Sequence, residues 1–597
     1  MKKQTLNNIG NICDMRTIKI LCSSAALRRT GNLLALLVLG VGVISVMSWR
    51  KGAKPTARPP AEVTIAMCGE FIIQDDYFSS PVKLLEGLGQ LHYRISTRDS
   101  AAQKFFNQGL RLIYAFNHVE ALRAFQEASR RDPESAMPFW GQALALGPNI
   151  NDWNPKDREA MAHQAISKAL ELSKNSTAKE ATFIKAMTSR YDGKVHDNRD
   201  TLNFAYLHAM EALAAQYPND PEALTLYADA IMNSMPWNYW NHDGTPKDGT
   251  LRARIALEST LKKFPRHPGA HHLYIHLVEA SNKPRDAYAS AQFLETAMPK
   301  AGHLVHMPSH IYARVGEYDR SNNANVKAIR ADEEFLAESE DQGFYRIGYY
   351  PHNIDFLVFG SMMNGRYEQA FRDGAKLSYH MKAMENMMPV YYDFFSVSPI
   401  ITYIRFGAWN DILALPPPDP RYYHMQSVQH FARGMAFLRK GLLSNAEAEL
   451  KKLDSINSLD TLKTIYAFYS SAFQISNVAT HMLKGEVMIQ QRQQEQGLKA
   501  LRQAVAAEDT MRYNEPADWR LPSRHYLGGA LLELGQYAEA EKVFEADLLR
   551  NPENGWSLQG LLQSQKKLGK KKEAAATQQR FDKAWKNSDV RILSSRF

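Results

Sequence analysis

The sequence predicts an all-α protein: a solenoid of about eleven stacked helix pairs behind an N-terminal membrane-anchor helix. Three observations carry that expectation. Small residues recur with a period of 34 along most of the chain, as a stack of helical hairpins requires. At 597 residues the chain exceeds what one compact core holds, while 45% hydrophobic and 23% charged residues are ordinary for a folded body. Three cysteines are too few for a disulfide framework, so packing has to hold the fold.

Residues 1–32 are basic and precede the apolar run Leu33–Trp49, "LLALLVLGVGVISVMSW". Flanked by Arg28, Arg29, Arg50 and Lys51, this run reads as a signal-anchor, with a cleaved signal peptide as the alternative. The cationic leading side is expected to stay in the cytoplasm, giving a single-pass inner-membrane protein with its body on the exported side, periplasmic or extracellular. Cleavage would instead release a secreted protein. The first 60 residues hold ten Lys/Arg and one acidic residue, which accounts for the whole net charge of +9. A neutral body lacks the clustered cations that displace counterions from phosphates, so no nucleic-acid partner is expected. Residues 50–95 read as a linker and entry segment.

Residues 96–384 hold the first repeat array. Its cleanest unit, 102–135, has Gly109, Ala121 and Ala128 where two antiparallel helices must approach closely, with Phe105, Phe125 and Pro133 at fixed offsets. Proline ends the second helix because it has no amide hydrogen to donate. The unit 521–554 repeats the pattern through Gly528, Gly535, Tyr537, Ala540, Phe544 and Pro552. The same spacing finds units at 268–301, 302–335, 351–384, 427–460, 478–511 and 555–588, and weaker ones at 136–175, 187–220 and 221–267. Two insertions stretch the weaker units, "GPNINDWNPKD" at 147–157 and "PWNYWNHDGTPKDGT" at 236–250. Residues 385–426 are a degenerate repeat ending in the connector "LPPPDPR", 427–590 form the second array, and 591–597 a tail.

Over roughly residues 95–590 these units resemble the tetratricopeptide repeat family. Phrases such as "FNQGLRLIYAFNHVEALRAF", "HLVHMPSHIYARVGEY", "YYPHNIDF" and "EPADWRLPSRHYLGGALL" are similar to those of a subgroup of bacterial exported members. The resemblance implies a right-handed superhelix. The first helix of each unit would line a concave groove, mainly through positions 2, 5, 9 and 12.

In that register, counting from Pro268, His272 and His276 take positions 5 and 9 and Glu279 takes position 12. Counting from Gly302, His303 takes position 2, and His306 and His310 again take 5 and 9. His352 and Asp355 follow from Pro351 at positions 2 and 5, and Glu222 and Asp229 from Pro221 at 2 and 9. Residues i and i+4 share a helix face, so two HxxxH pairs are expected on neighbouring helices facing one groove, with carboxylates on either side.

Three readings of these histidines stand open. The groove holds a protein or peptide ligand along its repeated pockets, as a binding or scaffold module. Alternatively His272, His276, His303, His306, His310 and Glu279 hold a divalent transition metal such as Zn or Cu, which could activate water for a hydrolase with Glu279 or Asp229 as base. Or the histidines are packed structural residues. Trp237, Tyr239 and Trp240 form a candidate lid over the groove. No HExxH, GxSxG, Walker A or GxGxxG pattern stands in a suitable context, so no enzyme class is indicated.

Overall fold

The computed structural model describes residues 80–339 and 343–597, all within the compact unit Glu62–Phe597. The basic leader and the candidate anchor Leu33–Trp49 lie outside the described residues. Among the described residues no helix is long and apolar enough to cross a membrane, and there is no strand beyond isolated bridges.

Among the described residues eleven helix pairs and one three-helix unit follow one another. The first five are α1 Ser100–Tyr114 with α2 His118–Arg131, α3 Ala136–Leu146 with α4 Glu159–Leu172, α5 Ala178–Thr188 with α6 Asp200–Gln216, α7 Pro221–Ser234 with α8 Thr250–Lys263, and α9 Pro268–Val278 with α10 Tyr288–Ala297. Next come α11 Gly302–His306 and α12 Pro308–Arg314, which together face α13 Tyr318–Glu338, and α14 Tyr350–Met363 with α15 Tyr367–Ala383. The degenerate unit holds α16 Pro389–Phe395, α17 Ser398–Phe406 and α18 Trp409–Ala414. The last four pairs are α19 Tyr423–Arg439 with α20 Leu443–Asn457, α21 Ala472–Gln490 with α22 Gln494–Asp509, α23 Ser523–Glu533 with α24 Tyr537–Arg550, and α25 Gly555–Lys567 with α26 Lys571–Ala584.

Local chemistry starts these helices where they start. Asp99 accepts hydrogen bonds from the amides of Ala101 and Ala102 at the head of α1, satisfying donors that have no partner in the first turn. Thr177 with Glu180, and Ser471 with Gln474, form reciprocal capping boxes at α5 and α21. Prolines open α7, α9, α12 and α14 at the one turn where a missing amide costs nothing. The small residues of the repeat pattern do what the spacing implied. A Cβ on Gly109 would fall 2.6 Å from the Phe125 ring, and one on Gly528 would fall 2.4 Å from Phe544.

Two expected registers shift. The third pair begins at Ala178 rather than 187, and the helix expected from 478 begins at Ala472 under its capping box. In both cases a Thr or Ser cap, not the small-residue pattern, decides the start.

Apolar side chains bury into two main cores, one running from Leu88 to Tyr349 and one from Val358 to Leu561. The array bends enough for distant repeats to touch. Helix α9 packs on α1 as well as on α7 and α8. Arg314 donates to the carbonyl of Arg550, and the indole of buried Trp556 donates to the carbonyl of Met362. Gly316 has φ +80° and lies against the backbone of Pro552, so both its conformation and its neighbour exclude a side chain.

Candidate metal centre

Helices α9, α11, α12 and α14 bring six histidines into one block. His272, His276, His303, His306 and His310 are buried and His352 is half-buried. Pro308 divides the histidine-bearing helix between α11 and α12, so His306 and His310 lie on either side of the break. The π-type turn Tyr345–Tyr349 leads into α14 and carries Tyr349 against His303, ring centres 4.5 Å apart.

The rings form two triads. In one, His272 lies 4.8 Å from His276 and 4.9 Å from His303 between ring centres, and His272 Nε2 is 3.1 Å from His303 Nε2. In the other, His306 Nε2 is 2.8 Å from His310 Nε2 and 3.1 Å from His352 Nε2. Each triad offers three nitrogens that all lie within 4.8 Å of one another. The triads adjoin, with His303 stacked on His306 at 5.9 Å and His276 at 5.7 Å from His310.

The far nitrogens fix the ring orientations. His272 Nδ1 donates to the carbonyl of Tyr114, 2.7 Å away. His276 Nδ1 donates to Glu279 Oε1 at 2.9 Å, while the other oxygen of that carboxylate lies 2.5 Å from His310 Nδ1. His306 Nδ1 donates to Asn325 Oδ1 at 2.6 Å; the amide of Asn325 is oriented by its own donation to the carbonyl of Ser321. With protons on Nδ1, the Nε2 lone pairs of these rings point into the triads. Such outer partners select the tautomer of a metal-binding imidazole. Nitrogens bound to one ion at about 2.0–2.1 Å stand roughly 2.9–3.4 Å apart; the His272–His303, His306–His310 and His306–His352 pairs are close to that at 3.1, 2.8 and 3.1 Å, and the remaining pairs lie within 4.8 Å. His276 Nε2 and His303 Nδ1 are buried with no hydrogen-bond partner.

Electrostatics agree with neutral rings over most of the block. Burial, followed by neighbouring histidines, lowers His272, His303 and His306 well below the usual imidazole range, and His352 falls to about 3. His310 is the exception. Burial alone would lower it, but contact with Glu279 and Glu515 raises it, and Glu279 is correspondingly held below the ordinary carboxylate range. Glu515 moves the other way because burial raises it.

A cavity of about 100 Å³ opens on His276 and His303 of one triad and on His310 and His352 of the other. Both insertions reach it: Trp237 Nε1 donates to Asn151 Oδ1 at 3.0 Å, and Asn151 Nδ2 donates to Tyr349 Oη at 3.0 Å. The segment 510–522 closes the opposite side with Tyr513, Asn514 and Glu515. Phe116 and Trp237 have φ +55° and +56°, a strained conformation for an aromatic residue, and both rings pack on His276.

Several expected site residues lie elsewhere. Glu222 is buried against Tyr114 Oη and His267 Nε2. Asp355 pairs with Arg520, and Asp229 accepts from Asn233 beside a separate small pocket next to His272. Of the candidate lid only Trp237 covers the cavity. Tyr239 is fully buried in the first core, and Trp240 braces α9 by donating to the carbonyl of Leu277. The groove expected to take a peptide is filled at the histidines by the chain's own segment 510–522 and by the turn after α1. Phe116, Asn325, Tyr513 and Glu515 were missed. The signal for three of them was present in the phrases that depart from the repeat pattern, "YAFNH" and the stretch before "PADWRLP".

The pairs of helices, their glycine–phenylalanine contacts and the 34-residue offset between the two HxxxH pairs give the described chain the fold of a tandem array of helical hairpins, as the tetratricopeptide resemblance implied. No protein-family model matches the chain, and no curated protein does. Among solved structures it is similar to human IFIT1, determined as a dimer with m7Gppp-AAAA, at 12% identity over 82% of this chain and 91% of that one, TM-score 0.32. It is also similar to the APC/C hetero-tetramer Cut9–Hcn1 (12% identity, 82% and 88% covered, TM-score 0.28) and to the P58(IPK) TPR domain (12%, 79% and 99%, TM-score 0.22).

Proposed function

We propose that this protein is a metalloprotein in which the repeat array is the scaffold and the two histidine triads hold a pair of transition-metal ions. The observation that carries the reading is the orientation of the imidazoles. His272, His276 and His306 each donate through Nδ1 to a fixed acceptor. The Nε2 lone pairs of His272 and His306 then face other ring nitrogens at 2.8–3.1 Å, an arrangement that repels unless a proton or a cation lies between, and His276 Nε2 is buried with no hydrogen-bond partner. Imidazole nitrogen suits Zn, Cu, Fe and Ni, whereas Mg, Ca and Mn prefer oxygen ligands. The cavity, at about 100 Å³, has room for small molecules rather than a length of peptide.

Elemental analysis of the full chain, after exposure to Cu, Zn and Ni in turn, tests this. The expected result is two ions per chain, with one lost in His276→Gln and one in His352→Gln while the helical circular-dichroism signal is kept. Protein that stays metal-free under all three metals overturns the reading.

A further inference from the structure

Resting on that metal-centre reading, we infer that the pair is copper, held reduced as two Cu(I) ions, and that dioxygen binds between them from the adjoining cavity as peroxide. The donor set comes first. Both triads consist of imidazoles alone, with no carboxylate in either, and all three cysteines of the chain precede the described residues. Among divalent first-row ions such nitrogen sites bind Cu most tightly, and a d10 Cu(I) ion is content with three nitrogen ligands. Zinc, by contrast, completes four ligands, so on three histidines it needs a water or substrate as the fourth.

Charge decides between oxidation states. With all six imidazoles neutral, His310 having given up its proton to the metal, the negative charge in contact with the block comes from Glu279, on His276 and His310, and Glu515, on His310. Arg314 Nε, 3.7 Å from Glu515, offsets part of it. Two Cu(I) ions bring two positive charges, the smaller load for these two carboxylates to offset. Two divalent ions would bring four into a buried site, and uncompensated buried charge is strongly unfavourable.

The cavity supplies the second half of the inference. Two histidines of each triad line it, so a single small ligand inside can touch both ions. Its other walls are largely aromatic, with Trp237, Phe344, Tyr349, Phe468 and Tyr513. An apolar diatomic fits such a space. The step balances without a further reactant. Each Cu(I) gives up one electron, dioxygen takes both to become peroxide, and bonds form from oxygen to each Cu(II); the O–O bond falls to a single bond and no proton enters. The copper–oxygen unit keeps the same net charge before and after, so the buried carboxylates compensate both states equally.

The test loads the full chain anaerobically with Cu(I), then admits dioxygen. One dioxygen consumed per two coppers, a new near-ultraviolet charge-transfer absorption and an EPR-silent product are expected. His303→Gln should keep one copper and lose dioxygen uptake at least tenfold. A chain that binds two coppers but takes up no dioxygen, or whose coppers oxidise to separate EPR-active Cu(II) ions, overturns this inference and leaves the metal-centre reading standing. The same holds if the chain binds two Zn(II) and refuses Cu(I). Failure to take up any metal overturns both.

Discussion

At the scale of single residues, the informative groups are the ones behind the ligands. Asn325 is a helix residue that does not line the cavity, yet its side-chain oxygen holds the Nδ1 proton of His306. Asn325→Ala should weaken the ion of the His306–His310–His352 triad by about 10–100-fold, the usual cost of losing such a partner, and leave the other ion unchanged. Stepwise metal titration distinguishes the two sites; equal weakening of both would mean that Asn325 acts on the fold rather than on one ring. Glu279 stands differently, because its carboxylate serves His276 with one oxygen and His310 with the other. That carboxylate bridges one ring of each triad.

Among the elements, α19 carries a pH signature. Asp393, buried, accepts from the amides of His424 and Met425 in its first turn. Burial, outweighing those two hydrogen bonds, raises its carboxyl to about 7. A carboxyl near 3.9 in the unfolded chain then binds a proton more weakly than in the fold, so its stabilising contribution is complete below about pH 4 and is lost as pH rises through 7. Asp393→Asn removes this dependence, at the cost of one hydrogen bond. The melting-temperature advantage of the native chain over the variant should therefore shrink between pH 4 and pH 7.5, by the equivalent of ~2–4 kcal/mol. A gap that stays constant over that range would contradict the assignment. Caps also govern where helices begin: α5 and α21 start at Ala178 and Ala472, under the caps Thr177 and Ser471, six to nine residues ahead of where repeat spacing alone set them.

For the whole molecule, the closure of the array is held by contacts between distant repeats. Arg520 of the covering segment makes a two-pronged ion pair with Asp355, both buried. Arg520→Met leaves the carboxylate buried without its partner and should cost about 3–5 kcal/mol, read as a large drop in denaturation midpoint that Asp355→Asn on the same chain partly restores. An unchanged midpoint would show that the segment does not hold the array closed. The helical hairpins and the shared register of the two HxxxH pairs were legible in the sequence, because helix periodicity and small-residue contacts are local properties. So was the meeting of His272, His276, His303, His306 and His310. What the register could not supply was the curvature. Tyr114, Phe116 and Glu515 reach the histidines only because the first and penultimate pairs bend back onto the middle of the array, and no local pattern encodes that distance.

The covering segment has a consequence for the order in which the molecule is made. Tyr513 and Glu515 meet Glu279 and His310 across more than two hundred residues of intervening chain. Contacts so far apart in sequence form late, after local hairpins are in place. The ring nitrogens are therefore reachable from solvent while the earlier hairpins assemble, and are enclosed only once residues near 515 have been synthesised and docked. On the metal-centre reading an ion would reach the rings most freely in that interval, and afterwards only through the cavity beside His276, His303, His310 and His352.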